Sequence, residues 1–380
     1  MRAAGYLPEA LMGHDLTRLS ALTDDLLAGF QAAGAVRVEP PALLDAETLL
    51  DLYGEDIRTR AYTTHDPAEG ERMLRPDFTV PVVEMHTAMG QEPARYCYAG
   101  PVWRRQEPGS DRPTEYRQVG YELFDRGDEA AADAEVFALI AAALHGRGLT
   151  VATGDMGVLR AAVSALDISE RRRAALMRHI WRPARFRKLV ERFAAPMAMT
   201  EARARLLDAA REGEGAVAAL IKQAAPVQGV RARAEIIARA MALKEASEEP
   251  PLTAADRALL DQVTGLAGTV ASAAGAVRAM ARAHAGMDAA ADRLTRRAAA
   301  LAARGLDPAT LPFAAQFGRT TLEYYDGFVF GFVDEARPDL PPIASGGRYD
   351  ALTAALSGGA GIPAVGGIIR PEVLLAREGS

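Results

Sequence analysis

The aromatic side chains are segregated, and that segregation limits what this chain can fold into. All 23 Phe, Tyr and Trp residues lie outside residues 201–310, a window that holds 36 alanines in 110 positions. Ala is the best helix former but gives little core volume, so the window reads as closely packed helices and not as sheet. Helices are expected over Ala202–Arg211, Ala232–Glu245, Ala254–Val263 and Val270–Arg304. Gly213-Glu214-Gly215 and Pro250-Pro251 break them. A helical insertion is expected over residues 151–311, dividing the core into residues 1–150 and 312–380.

The flanks have a different period. Residues 8–34 carry helical apolar spacing through Leu16, Leu19, Leu26, Leu27 and Phe30, ended by Gly34. Ala35–Glu39, Arg95–Trp103, Glu115–Phe124, Leu322–Val333 and Pro342–Ala344 read as strands, and Tyr349–Leu356 as a helix. A Pro-Gly-Ser-Asp-Arg-Pro turn joins the second and third strands into a long antiparallel hairpin. Antiparallel strands divided by a helical insertion define an α+β fold, not a doubly wound parallel sheet.

Composition excludes several functions. The 380 residues carry 44 basic and 50 acidic side chains, a net charge of −6, which speaks against a protein that coats nucleic acid. The single cysteine, Cys97, allows no internal disulfide, so a cytoplasmic location is expected. No apolar run of about 18 residues is present to span a membrane. There are three lysines and no Gly-Lys pair, so a P-loop NTPase is excluded. The six histidines are scattered without ligand spacing, and no metal or cofactor is expected. The basic run Arg171–Arg173 and Arg178–Lys188 reads as a solvated helix face, with Trp181 and Phe186 packing beneath it.

Chemistry concentrates in Tyr96–Glu122. Alternation places Gln118, Gly120 and Glu122 on one face of the hairpin, and Arg104 is suited to grip a carboxylate. Alone, such a hairpin reads as a solvated charged surface. Four further segments follow a recognisable order. Tyr96–Glu122 resembles motif 2 of class II aminoacyl-tRNA synthetases, the histidyl branch above all. Met73–Pro81, Leu322–Phe330 and Ala344–Leu352 resemble three histidyl elements, and Ala364–Leu374 resembles a degraded motif 3 that keeps Arg370. Residues 8–40 resemble motif 1, the dimer-forming element.

The resemblance implies a histidine pocket formed by Asp77, Thr79, Arg104, Gln118, Glu122, Tyr325 and Tyr349. Asp77 and Gln118 would take the α-ammonium and Arg104 the α-carboxylate. Glu122 and the Tyr325 hydroxyl would bond the imidazole nitrogens. The departures are equally specific. Thr320 stands where the synthetases have a catalytic arginine, Gln106 where motif 2 has an acid, and Ile369 where motif 3 has one. Losing one such charge costs orders of magnitude in a phosphoryl-type reaction. Asp77-Phe78 replaces the usual Glu-Gly. The synthetases also continue into an anticodon-binding domain, whereas this sequence stops ten residues after Arg370, so tRNA binding is not expected.

A histidine pocket without activating residues resembles the ATP phosphoribosyltransferase regulatory subunit family, paralogues of histidyl-tRNA synthetase. This implies a non-catalytic subunit of a glycosyltransferase complex at the first step of histidine biosynthesis. It implies a short-form catalytic partner, a homodimer within a hetero-oligomer, and histidine as feedback effector. The alternative is a truncated histidyl-tRNA synthetase-like enzyme that activates an amino acid. A scaffold with a dead pocket is the other rival.

Overall fold

Strands from both flanks of the sequence meet in one sheet. The computed structural model describes residues 11–53, 60–107, 109–110, 112–197, 199–223, 232–319 and 324–378. Its strands are β1 (Val36–Arg37), β2 (Leu43–Asp45), β3 (Thr63–Asp66), β4 (Gly70–Leu74), β5 (Ala94–Trp103), β6 (Glu115–Phe124), β7 (Thr150–Asp155), β8 (Ala267–Thr269), β9 (Pro312–Ala314), β10 (Phe328–Val333), β11 (Ala344–Arg348) and β12 (Ala364–Ile369). Nine of them form a sheet in the order β1-β5-β6-β12-β11-β10-β7-β9-β8, and β2-β4-β3 form a small second sheet. From β5 to β7 the large sheet is antiparallel throughout. This is the expected α+β architecture, an antiparallel sheet flanked by helices. None of the described helices is long and apolar enough to cross a membrane.

The hairpin β5–β6 runs the full length read from the sequence, with Trp103 opposite Glu115 and Ala94 opposite Phe124. One face of β6 carries Tyr121 against Phe30 of helix Gly13–Ala32, ring centroids 5.6 Å apart. The other face carries Gln118, Gly120 and Glu122. Over it lies an apolar cluster that includes Phe78, Val80, Tyr98, Tyr325 and Tyr349. Helix Thr79–Met89 contributes Val80, Val82 and Val83, all buried, to that layer.

Two compact units divide the chain: residues 1–165 with 262–380, and residues 166–261. The second unit is all helical. Leu207, Ala210, Val217 and Ala240 are buried within it, and Phe186 and Phe193 supply volume that an alanine-rich window lacks. This unit spans fewer residues than the expected 151–311. The segment Val270–Arg304 is not one helix but two, Val270–Ala281 and Asp288–Ala303, separated at Ala285–Met287. Gly286 there lies so close to Ala165 that a Cβ would approach the Ala165 Cβ to 2.7 Å. Alanine-rich sequence supports either helical arrangement, so its composition does not reveal such a break.

Helix Asp288–Ala303 is tied to the large unit by charge as well as by its buried Ala290, Ala291, Leu294 and Leu301. Arg297, 3% exposed, donates from Nε to Asp133 at 2.8 Å and from Nη1 to Asp155 at 2.6 Å. Arg348 donates from Nε to the other oxygen of Asp133 at 2.9 Å. Asp133 sits on helix Glu129–Ala143 and is 1% exposed. One carboxylate therefore satisfies two buried guanidinium groups from distant parts of the chain. Removing it takes one carboxylate from each guanidinium, leaving Arg297 with Asp155 and Arg348 with Asp350, and breaking a buried ion network in this way typically costs about 3–5 kcal/mol. Asp133→Ala is expected to lower the urea-unfolding free energy of the large unit by about that amount. Arg337→Ala, which removes the surface Arg337–Asp339 pair at 2.9 Å, is expected to stay within about 0.5 kcal/mol of wild type.

Candidate functional site

The predicted pocket residues sit on β6 and at the ends of neighbouring strands and helices. Asp77 precedes helix Thr79–Met89 and Thr79 opens it. Arg104 follows β5, Gln118 and Glu122 lie on β6, Tyr325 precedes β10, and Tyr349 joins β11 to helix Asp350–Leu356. All seven line one cleft within the large unit, together with Tyr324, Ser345, Arg370 and the β12 backbone at Gly366–Ile368. Two sequence elements are tied directly at its rim. Asp326 accepts from the backbone N–H of Asp350 at 3.1 Å and of Ala351 at 2.7 Å, capping the helix that follows Tyr349.

Glu122 is the centre of the cleft and is 1% exposed. Its Oε1 accepts from the Tyr98 hydroxyl at 2.9 Å and from the Thr79 hydroxyl at 3.2 Å. Its Oε2 accepts from the Tyr349 hydroxyl at 2.6 Å. The opposite residue, Gly366, must lack a side chain, because a Cβ there would fall 1.5 Å from Oε2. These bonded partners are all neutral hydroxyls. Burial pushes the Glu122 carboxyl up to about 7, against the bonds from Tyr349, Tyr98 and Thr79.

The remaining groups offer complementary chemistry. Gln118 is 1% exposed, and its Oε1 has no hydrogen-bond partner among the described residues. Arg104 donates from Nε to the Pro76 carbonyl at 2.8 Å, and its Nη2 lies 3.9 Å from Asp77. Burial raises the Tyr325 hydroxyl above its ordinary range, so it remains a neutral donor and acceptor. The cleft thus presents acceptors at Asp77, Gln118 and Glu122 and a guanidinium at Arg104. Such a set suits a small zwitterion carrying a ring N–H. Among the described residues no cluster of three or more His, Cys, Asp and Glu side chains could hold a metal ion.

The positions of the expected losses are also informative. Gln106 donates from Nε2 to the carbonyls of Pro113 at 3.1 Å and Arg104 at 3.4 Å, bonds that a carboxylate could not make. Ile369 is fully buried and pairs with Ala344 in the sheet. Thr320 lies outside the described residues, as does part of the strand expected over Leu322–Val333, whose observed strand is Phe328–Val333. Sequence reasoning missed Tyr98 as a partner of Glu122. The hairpin pairing offered a signal, since Tyr98 lies directly opposite Gly120 on the pocket face.

The profile of the histidyl-tRNA synthetase family matches residues 9–250 and 238–374. An ATP phosphoribosyltransferase regulatory subunit of Agrobacterium fabrum is 34% identical over 368 residues, covering 94% of this chain and 96% of its own. One from Rhizobium rhizogenes is 32% identical, covering 92% and 96%. Among solved structures, an ATP phosphoribosyltransferase regulatory subunit/histidyl-tRNA synthetase from Bacillus halodurans superposes with a TM-score of 0.65 at 20% identity, covering 99% of this chain and 83% of its own. A histidyl-tRNA synthetase from Nostoc superposes with a TM-score of 0.62 at 17% identity, covering 98% and 74%. At these identities the structural likenesses speak for the fold.

The raised Glu122 carboxyl has a consequence for stability. The folded protein holds a proton there up to about pH 7, whereas the ordinary value is 4.5. Between those values the folded state binds more protons than the unfolded one, so stability falls as pH rises. Asp350, pushed up to about 6 by burial, acts in the same direction. Comparison with Glu122→Gln isolates Glu122. From pH 5 to pH 8 the wild type is expected to lose roughly 2–4 kcal/mol more unfolding free energy than the variant. Parallel pH profiles in urea titrations would contradict this.

Proposed function

The chain belongs to the family of ATP phosphoribosyltransferase regulatory subunits, within the histidyl-tRNA synthetase-like class II fold, and from that premise we propose that its cleft is a histidine sensor and not an active site. The protein is a regulatory subunit of ATP phosphoribosyltransferase, in histidine biosynthesis. It needs a short-form catalytic partner, which carries the glycosyl transfer, and it catalyses nothing itself. Histidine binding biases the complex toward the less active state, and by linkage that bias equals the difference in histidine affinity between the two states.

The observation that carries the reading is the buried polar set around Glu122, with the Gln118 Oε1 left without a partner among the described residues. A buried acceptor in that condition is costly unless a ligand completes it. Asp77 and Gln118 take the α-ammonium, Arg104 the α-carboxylate, and Glu122 with Tyr325 the two ring nitrogens. Tyr349 supplies the hydroxyl that Glu122 holds in the absence of ligand. The use of Gln106 and Ile369 as packing and turn residues supports the loss of amino-acid activation. The net charge of −6 supports the absence of tRNA as a partner.

The subunit forms a homodimer inside the hetero-oligomer. Met12, Leu16 and Val36 are 80%, 43% and 62% exposed on the motif-1 helix and strand, an apolar surface suited to a two-fold contact. Light scattering at micromolar concentration is expected to give the mass of two chains. A monomer would count against this interface.

Glu122→Gln is expected to weaken histidine binding by about 1.5–3 kcal/mol, the range for a hydrogen bond to a charged group. Calorimetric titration of both proteins measures it. The histidine concentration for half-inhibition of the reconstituted transferase is expected to rise by the same factor. Neither protein is expected to show histidine-dependent ATP–pyrophosphate exchange; exchange above background would revive the activating-enzyme reading. Equal affinities would mean that this face of the hairpin does not hold the ligand. Full feedback despite lost binding would place the regulatory histidine on the catalytic partner.

A further inference from the structure

Tyr98 is fully buried and lies outside the residues that line the cleft, yet it holds the carboxylate at the cleft's centre. Its hydroxyl donates to Glu122 Oε1 at 2.9 Å. Two contacts fix its ring, and a third group backs one of them. Phe78 stacks on it, with centroids 4.3 Å apart and planes 11° apart. Gly120 lies directly beneath it, where a Cβ would come within 2.2 Å of the ring. Behind Phe78, the Arg75 guanidinium sits 3.8 Å from the ring centroid. Arg75 is itself tied to the Pro40 carbonyl at 2.7 Å and the Pro101 carbonyl at 3.1 Å. A stack of Arg75, Phe78 and Tyr98 therefore presses one hydroxyl against the far side of Glu122. Phe78 stands where the resembling synthetases have glycine, and filling the space beside Tyr98 is what it does here.

We propose that Tyr98 is a positioning residue for ligand recognition, its hydroxyl supporting the Glu122 carboxylate that accepts the ligand's ring N–H, and that Phe78 locks Tyr98 in place. The proposal rests on the histidine reading of the cleft. Of the hydroxyls on Glu122, those of Thr79 and Tyr349 belong to residues that line the cleft, where an entering ligand can displace them. The Tyr98 hydroxyl comes from outside that lining and stays whether or not ligand is present. A donor to a carboxylate favours its charged form. The other charged or titratable groups that line the cleft with Glu122 are Asp77, Arg104, Tyr324, Tyr325, Tyr349 and Arg370. The nearby Asp77 charge works against ionisation of Glu122, as burial does. Tyr98 is then the permanent counterweight, and Glu122 sits at a balance near pH 7.

Tyr98→Phe removes only the hydroxyl and keeps the stack. In ligand-free protein, the Glu122 carboxyl resonance, identified by its absence in Glu122→Gln, is followed by carbon NMR from pH 5 to 9. Its midpoint is expected to rise by about one pH unit in Tyr98→Phe. Phe78→Leu, which keeps the hydroxyl but loses the ring stack, is expected to give a smaller rise. Histidine affinity of the full chain, measured by calorimetry over the same range, is expected to fall about fivefold at pH 7 in Tyr98→Phe, the loss of ionised Glu122 that a one-unit rise from about 7 brings. The loss should shrink above pH 8.5. Glu122→Gln is expected to retain only the titration of free histidine. An unshifted midpoint in Tyr98→Phe overturns the proposal, as does an affinity loss that is the same at every pH. A wild-type midpoint in Phe78→Leu removes the lock. If wild type binds no histidine while the midpoint still rises, the histidine reading fails and the hold of Tyr98 on Glu122 stands.

Discussion

Asp133 is the constraint on which the large unit depends. A buried carboxylate between two buried guanidinium groups is tolerable only when every lone pair is used. Its two oxygens take Arg297 and Arg348, from segments 164 and 215 residues away. Arg348 then reaches Asp350 at 3.0 Å, and Asp350 accepts from the Ala364 backbone at 2.8 Å. That short path runs from the helix beneath the sheet to the strand that faces Glu122. The residue between Arg348 and Asp350 is Tyr349, whose hydroxyl reaches Glu122. The ion network thus fixes the backbone on which one wall of the cleft is mounted. A sheet assembled from chain ends so far apart in sequence needs such ties, because local propensity cannot hold them together.

The two best-connected carboxylates of the hairpin region show how partner chemistry divides structure from function. Glu135 accepts from Arg95 at 2.6 and 3.0 Å and from Tyr121 at 2.8 Å. Burial would raise it, but those bonds, Arg95 foremost, hold it below the usual carboxylate range. Glu122 receives three hydrogen bonds, all from hydroxyls, and burial prevails. Hydroxyls satisfy the lone pairs without neutralising the charge. The first arrangement is closed. The second is complete only with a donor that brings positive character, and a protonated or polarised imidazole is such a donor.

Much of this was legible because strand alternation is unforgiving. A one-residue slip would have sent Gln118 and Glu122 to the helix-packed face, so their shared parity in the hairpin located the cleft. The β5–β6 boundaries followed from aromatic-rich runs on either side of a Pro-Gly turn. The motif residues Asp326, Arg348 and Asp350 could be seen in the sequence, but their use as a cap and an ion network could not, since that needs tertiary register. The alanine-rich helices were legible as helices but not as belonging to one unit or the other. For the helix Asp288–Ala303, buried apolar residues such as Leu294 and Leu301 and the buried Arg297 tie it to the large unit, and Arg297 reads as surface in sequence. Tyr98 was hidden because an aromatic residue on a strand reads as core, and only its pairing with Gly120 across the hairpin placed it on the pocket face.

The residues that depart from the synthetase pattern and those that keep it carry different energetic meaning. Replacing catalytic charges by Gln106 and Ile369 costs the fold nothing: the amide closes the hairpin turn and the isoleucine is ordinary sheet core. Glu122 is the opposite case. Burying a carboxylate without a counter-charge is destabilising, and an apolar residue of similar volume in a well-packed site is commonly neutral or stabilising. Gly366 adds to that cost, because a glycine within a strand gives up side-chain packing solely to make room for the carboxylate. A cleft kept only as inherited scaffold would gain stability from losing both. That the chain instead surrounds the carboxylate with hydroxyls from Thr79, Tyr98 and Tyr349 argues that its charge is used, and the balance between protonated and ionised forms near neutrality is the property that use requires.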